Sequence, residues 1–189
     1  MTVELVKFPG QEDWNLVKDL ALATMHKKRV NPVSQDWKES ILLARHSPIR
    51  ELHFIFKMEI PYWVSVHLVR HVHAQPYVCS QRNDRQKTFD PTYDRNKAPQ
   101  DTPVIMYWSM GAEELINIAN KRLCTRASKE TREVVKQMCT LVIQKLPEFK
   151  KVLVPDCIAR GGICYEMKCC GLCPNVKDGA NKKLDEYWK

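Results

Sequence analysis

Residues 52–71 read LHFIFKMEIPYWVSVHLVRH, and this stretch decides the class of fold. Apolar side chains alternate with polar ones from Leu52 to Ile60, which is the period-two pattern of a strand with one buried face. Pro61 ends the alternation and is well tolerated in the first turn of a helix. The following segment, 62–72, is apolar with two histidines and an arginine embedded in it, and it predicts a helix. A strand that runs directly into a helix indicates a mixed α/β protein.

Further periodic segments flank this pair on both sides. Upstream, residues 2–8 predict a short strand and residues 14–25 a helix, and Ser34 is placed to cap a second helix. Downstream, Ser109 is expected to cap one helix, and a longer helix is expected over 127–146. Together these elements predict an α/β fold of the mixed α+β type, with a small central sheet covered by helices.

The charge balance of the chain is basic. Its 189 residues carry 30 Lys and Arg against 22 Asp and Glu, a formal charge of +8. Such an excess attracts nucleic acid, anionic membranes or phosphorylated small molecules. Nucleic acid is not favoured, because the positive residues are spread along the chain. We see no secretory signal, no membrane span and no glycine motif of a Rossmann or P-loop site, so a cytoplasmic protein is expected.

Eight cysteines are present, and five crowd together near the C-terminus: Cys157, Cys164, Cys169, Cys170 and Cys173. The sequence is therefore divided into a main domain, 1–155, and a cysteine-rich tail, 156–189. In a reducing compartment paired disulfides are not expected. Four tail thiolates could bind zinc in a tetrahedron, but their spacing differs from paired CxxC motifs. Free or packed thiols are favoured, and no metal site is assigned.

The densest group of chemically active residues is 70–83, RHVHAQPYVCSQRN, at the predicted end of a helix. Its arginines carry planar forks that grip phosphate through two hydrogen bonds. Ser80 and Arg82, two apart on an extended segment, would face the same side. The surrounding stretch, 72–103, lacks periodicity over about 30 residues, and loops of that length are usually functional or disordered. These features predict a phosphate site, with an exposed basic turn as the plain alternative.

The spacing of Arg70, His71 and Ser80 resembles the R-H-R-x7-S signature of the flavin-dependent thymidylate synthases. Ser47-Pro48-Ile49, before the alternating strand, is similar to that family's Ser/Thr-Pro-Phe segment. Residues 112–132 are similar to the family's long-helix pattern, N-A-R-x-L-x-N-x4-R-x4-A-x2-E, and the cysteine-bearing tail is similar to those of some members. The resemblance covers about residues 45–83 and 105–173.

The resemblance implies a flavin-dependent thymidylate synthase-like fold and an enzyme that methylates C5 of dUMP to give dTMP. Such enzymes use FAD, NADPH and 5,10-methylenetetrahydrofolate, and they form homotetramers with active sites between subunits. The residues implied to contact FAD are Ser47, Arg70, His71 and Asn117. The residues implied to hold the nucleotide are His67, Arg70, Ser80, Arg82 and Arg122. Arg122 is also the implied catalytic residue, because a permanent cation against the pyrimidine stabilises negative charge developing on the ring.

Several positions depart from the family's pattern, and they cluster around the base and the flavin. The departures are Val72 for the third arginine of the signature, Tyr77-Val78 for an Asn-Glu pair, Gly111-Ala112-Glu113 for Asn-Ala-Arg, and His67 for a nucleotide-reading Gln. Methylation or hydroxymethylation of dCMP is therefore an alternative, as is a non-catalytic relative that binds nucleotide or nucleic acid. A metal-centred hydrolase built on His71, His73 and the tail cysteines is disfavoured, because the two histidines do not share a helical face.

Overall fold

Within the described residues, an antiparallel sheet of four strands forms the centre of the fold, in the order β1-β2-β4-β3. The computed structural model describes residues 1–81, 92–172 and 187–188. The strands are β1 (Thr2–Lys7), β2 (His53–Pro61), β3 (Gln75–Val78) and β4 (Pro103–Gly111). The α-helices are α1 (Gln11–Ala23), α2 (Gln35–Leu43), α3 (Tyr62–Leu68), α4 (Ala112–Arg122), α5 (Lys129–Lys145) and α6 (Asp156–Ala159). Short 3-10 helices lie at Ser47–Glu51, Arg95–Lys97 and Pro147–Lys151.

The two central strands carry most of the buried surface of the sheet. β2 and β4 pair over their whole length, from His53 opposite Gly111 to Pro61 opposite Pro103. Alternate side chains on one face are fully buried: Phe54, Phe56, Met58, Ile60, Val104, Met106, Trp108 and Met110. They join buried residues of α1 to α5 in one apolar cluster. The predicted mixed α/β fold, a small sheet covered by helices, is confirmed.

The predicted helix starts are partly right. The hydroxyl of Ser34 accepts a hydrogen bond from the Trp37 N–H at 3.4 Å and caps α2, as predicted. The prediction that Ser109 caps a helix is wrong, because Ser109 lies in β4 and α4 begins three residues later, after Gly111. A Cβ added at Gly111 would lie 2.6 Å from the carbonyl oxygen of Arg50, so only glycine fits this junction without a shift of the backbone.

The sequence did not reveal β3 or β4, which lie within or next to the aperiodic stretch 72–103. In β4 the outward positions Ile105 and Tyr107 are apolar, although they are 46% and 39% exposed. Because both faces of the strand carry apolar side chains, the period-two alternation is hidden. The predicted helix 62–72 is also shorter than expected, since α3 ends at Leu68 and leaves Arg70 and His71 in a turn.

The start of the tail packs as a small separate cluster. Val154, Cys157 and Ile158 are buried together, with Leu172 packed against them. The indole of Trp188 donates a hydrogen bond to the carbonyl of Leu153 at 3.0 Å, which fixes the end of the described chain to this cluster. The division into 1–155 and 156–189 stays a prediction. No helix of the described residues is long and apolar enough to cross a membrane.

Candidate functional site

Arg122 is held where α4 ends against the turn that follows α3. Its Nε donates a hydrogen bond to Nε2 of His71 at 3.0 Å, and its Nη2 donates to the carbonyl oxygen of His67, also at 3.0 Å. These bonds fix the plane of the guanidinium group, because they involve two different nitrogens of the same fork. In the described part of the chain, Nη1 has no partner, so one edge of the group can donate to a ligand.

His71 is the residue that orients Arg122, and its protonation state follows from its contacts. Since Nε2 accepts from Arg122, the neutral ring carries its proton on Nδ1, which lies 3.5 Å from Oε1 of Glu114. The side chain is only 14% exposed. Burial, with the positive charge of Arg122 as a smaller cause, lowers the pKa of His71 from 6.5 to about 4. The ring is therefore neutral at physiological pH, as an acceptor for Arg122 must be.

Glu114 extends the arrangement along α4. It is 8% exposed, and its second carboxylate oxygen accepts a hydrogen bond from the amide of Asn117 at 3.4 Å. The Asn117 oxygen accepts from Arg45 at 3.4 Å, and Arg45 also donates to Asn120 at 2.6 Å. Glu114, Asn117 and Asn120 recur every three residues, so they share one helical face.

This polar row continues into the backbone just before the tail. The Asn120 amide donates to the carbonyls of Val152 and Val154 at 3.3 Å and 2.6 Å. Asn117 was predicted as a site residue, whereas Glu114, Arg45 and Asn120 were missed. The signal available in the sequence was the set of polar residues at three-residue spacing, between charged residues at the two ends of the helix. Arg45 could not be found that way, because it comes from the loop after α2.

Two cavities lie along this polar row. The first, of about 470 Å³, is lined by Arg50, His53, His73, Gly111, Glu113, Glu114 and Asn117. The second, of about 490 Å³, shares Glu113 and Asn117 with the first and is also lined by Arg45, Asn120, Lys121 and Arg160. Their size is within the range of small-molecule sites. The second cavity has more cations than carboxylates in its lining, which suits an anionic ligand. The first combines one guanidinium, from Arg50, with the carboxylates of Glu113 and Glu114.

The structure brings some predicted site residues together and leaves others apart. Arg122, His71 and the backbone of His67 meet directly. The ring of His67 is 3.4 Å from the hydroxyl of Thr131. Arg70 is exposed in the same turn, and its charge adds to burial in lowering the pKa of Arg122.

The remaining predicted contacts are on the surface or outside the described residues. Ser47 is exposed at the start of a 3-10 helix, and Ser80 is exposed just beyond β3. Neither lines the first cavity as far as the described residues define it. Arg82 lies outside the described residues. The proposed roles of these three residues stay predictions.

The departures from the family's pattern also have places in the structure. Glu113 forms an ion pair with Arg50, on the wall of the first cavity. Val72 is 81% exposed, and Val78 is 37% exposed at the end of β3. Among the described residues, no group of three or more His, Cys, Asp or Glu is arranged to hold a metal ion.

Comparison with known proteins gives a match to a family model and matches to solved structures. A family model described as thymidylate synthase complementing protein matches residues 86–148, about a third of the chain. Among solved structures, a UMP/dUMP methylase, PolB from Streptomyces cacaoi, bound with 5-bromo-dUMP, is similar with a TM-score of 0.60 and 18% sequence identity. That match covers 81% of this chain and 96% of the other. No curated protein matches in sequence.

Proposed function

We propose that this protein is a flavin-dependent methyltransferase that converts dUMP to dTMP. The family match and the structural match both support a member of the flavin-dependent thymidylate synthase family. The one-carbon unit comes from 5,10-methylenetetrahydrofolate, and the reducing electrons come from NADPH. In the net reaction, dUMP, the folate, NADPH and a proton give dTMP, tetrahydrofolate and NADP⁺. The predicted motif, the fold and the relative's uridine substrate all support this class of reaction.

The observation that carries the proposal is the fixed guanidinium of Arg122, one edge of which has no partner among the residues that the structure describes. Its described partners are a neutral imidazole and a carbonyl, so no carboxylate neutralises it directly. Arg70 adds a second positive charge close enough to lower the pKa of Arg122. Two neighbouring positive charges make the local electrostatic potential more positive, which favours the binding of an anion. A pyrimidine nucleotide is such an anion.

In the proposed reaction, Arg122 donates to the pyrimidine edge and stabilises negative charge that develops on the ring. His71 and the His67 carbonyl hold the fork in place before the substrate arrives, so little reorganisation is needed in the transition state. Removing one such donor from an enzyme costs about 10²–10³-fold in turnover. Ser80 and Arg82 are proposed to bind the phosphate, through a hydroxyl and a bidentate fork.

The residues of the first cavity fit a flavin. The cavity offers the Asn117 amide and two imidazoles to the polar edge of FAD, and its wall also carries Glu114 and the ion pair of Arg50 with Glu113. Asn117 and His71 are joined through Glu114, so two of the four predicted flavin contacts belong to one connected arrangement. When bound, the reduced flavin supplies the hydride. Asn117, which lines the cavity, would hold it there, whereas the contacts implied for His71, Arg70 and Ser47 stay predictions, because these three are not among the described residues that line it.

The outer face of the sheet supports the proposed homotetramer. Ile105, Tyr107 and Tyr77 are exposed there, at 46%, 39% and 62%. An apolar patch on a strand face is typical of a protein interface. A second copy packed on this face would bury these side chains. Sedimentation of the wild type and of Tyr107→Lys tests the assembly, and a monomeric wild type would contradict it.

The experiment that tests the function is a set of single-substrate reactions. The protein is incubated with FAD, NADPH, the folate and one nucleotide at a time: dUMP, UMP or dCMP. We expect dUMP to gain the mass of one methylene group, and we expect one tetrahydrofolate to form for each dTMP. If dCMP alone gave a methyl or hydroxymethyl product, dCMP would be the substrate in place of dUMP. If the protein binds FAD but forms no product from any nucleotide, that result would support the alternative that it is a non-catalytic relative.

Matched variants connect the activity to the site. Arg122→Ala should lower turnover by about 10²–10³-fold, and Arg122→Lys should not restore it, because an ammonium group lacks the fork. Arg29→Ala removes a guanidinium from an ion pair with Asp19, outside the site, and should leave turnover unchanged. Equal turnover in Arg122→Ala and the wild type would contradict the role assigned to Arg122.

A further inference from the structure

Two cysteines from distant parts of the sequence meet beside the end of α4. Cys124 lies in the turn between α4 and α5, two residues after Arg122, and Cys170 lies in the tail. Their sulfur atoms are 4.0 Å apart, and both are partly exposed. We propose that Cys124 and Cys170 are a redox pair that forms a disulfide when the protein meets a peroxide.

The tail is held against this turn by polar contacts on both sides of the pair. Lys121 forms an ion pair with Glu166 at 3.3 Å. Arg126 donates a hydrogen bond to the carbonyl of Lys168 at 3.4 Å. The two thiols therefore meet at a docked segment of the fold, and the contacts keep Cys170 close to Cys124.

The surroundings of the two thiols favour oxidation over ligand binding. The cavity that both line is only about 20 Å³, which is room for about one water molecule. No described group of three or more ligating side chains can hold a metal here. Hydrogen peroxide is small enough for this space, and the two free thiols are already in contact.

The two sulfurs also differ in reactivity in the way that such a pair requires. Hydrogen bonds from the Thr125 hydroxyl and the Leu172 backbone N–H lower the pKa of Cys170. Burial raises the pKa of Cys124. Cys170 is therefore the thiol that is ionised first and attacks, and Cys124 is the one that resolves the product.

The chemistry proceeds in two balanced steps. The Cys170 thiolate attacks one peroxide oxygen, the O–O bond breaks, and hydroxide leaves, which gives a sulfenic acid. The Cys124 sulfur then attacks the Cys170 sulfur, its proton is released, and the S–O bond breaks as the S–S bond forms. Overall, two thiols and one hydrogen peroxide give one disulfide and two waters. A thiol reductant reverses the link by exchange.

The test is peroxide oxidation of the reduced full-length chain, followed by alkylation, trypsin digestion and mass spectrometry. We expect the loss of two hydrogens and a linked pair of peptides, one of them 123–126. The second peptide begins at residue 169 and also contains Cys173, so the reaction is repeated in a Cys169→Ser, Cys173→Ser background. The link should persist there and disappear when Cys170→Ser is added.

The controls separate proximity in the fold from general reactivity. In urea the preference for this pair should vanish, because the contact belongs to the folded chain. Dithiothreitol should restore both alkylatable thiols. The proposal is overturned if Cys124 stays alkylatable after oxidation, if it links equally to Cys169 or Cys173 in the folded wild type, or if Cys170 is oxidised beyond the sulfenic acid without forming a link.

Discussion

The neutral, buried state of His71 predicts a specific loss of stability in mild acid. The folded chain takes up this proton at about pH 4, whereas an unfolded histidine takes it up near 6.5. The contribution of His71 is therefore fully present above pH 6.5 and is lost as the pH falls towards 4. The total is about 3 kcal/mol, and about 2 kcal/mol of it is lost by pH 5.

Urea unfolding at a series of pH values, at one protein concentration, measures this loss against the variant His71→Gln. Glutamine keeps a hydrogen-bond acceptor for Arg122 but does not titrate, so other acid effects cancel in the comparison. The free energies of unfolding of the two proteins should converge by about 2 kcal/mol between pH 7.5 and pH 5. His26→Gln, at an exposed histidine after α1, serves as the matched control. Parallel pH profiles for the wild type and His71→Gln would refute the neutral, buried imidazole.

Three further changes follow from the same site. Arg82→Ala should raise KM for the nucleotide roughly tenfold or more with kcat retained, because the proposed function assigns to Arg82 a charged contact to phosphate that is made in the ground state. In steady-state kinetics, a fall in kcat alone would contradict this proposal. Glu114→Gln should lower kcat and shift the acid limb of the pH–rate profile, because the partner of the His71 N–H loses its charge. A change in KM alone would contradict a positioning role for Glu114. Gly111→Ala should cost about 1–3 kcal/mol in urea unfolding, because its Cβ meets the Arg50 carbonyl, and an unchanged midpoint would show that the junction relaxes freely.

The sequence predicted best those elements whose two faces differ in polarity. β2 alternates apolar Phe54 and Phe56 with polar Lys57 and Glu59, and its position was predicted closely. β4 was missed because Ile105 and Tyr107 make its outer face apolar as well. The alternation of polar and apolar residues along a strand indicates which side chains are apolar, and these are usually the ones that pack on the chain's own core. It cannot separate a core-facing residue from one exposed on a sheet face where a second chain could pack.

The same limit applies to the candidate site. Arg122, His71 and Asn117 were found through motifs, since their spacing along the chain is fixed. Arg45 was missed because it reaches the helix only through the tertiary fold, from a loop position with a positive φ of 51°. Glu114 was missed for a different reason: a glutamate in the first turn of a helix is favourable for the helix dipole alone, so its residue type does not point to a site. Its spacing from Asn117 and Asn120 was the available signal, and its burial beside His71 is visible only in the structure.

The departures at the start of α4 form one coupled change. Without a side chain at Gly111, the Arg50 carbonyl can approach the helix start, where any Cβ would be 2.6 Å away. This approach brings the Arg50 side chain to Glu113, and the two form an ion pair on the cavity wall. Where the family's pattern has an arginine at the position of Glu113, this chain has a glutamate, so the charge at that position is reversed. The ion pair with Arg50 neutralises the new carboxylate, while Arg122 keeps the arginine of the pattern. Because Arg122 is not among the described residues that line this cavity, the change at Glu113 alters the cavity wall without touching the Arg122 group. Under the proposed function, the flavin would meet the altered wall and the pyrimidine would not.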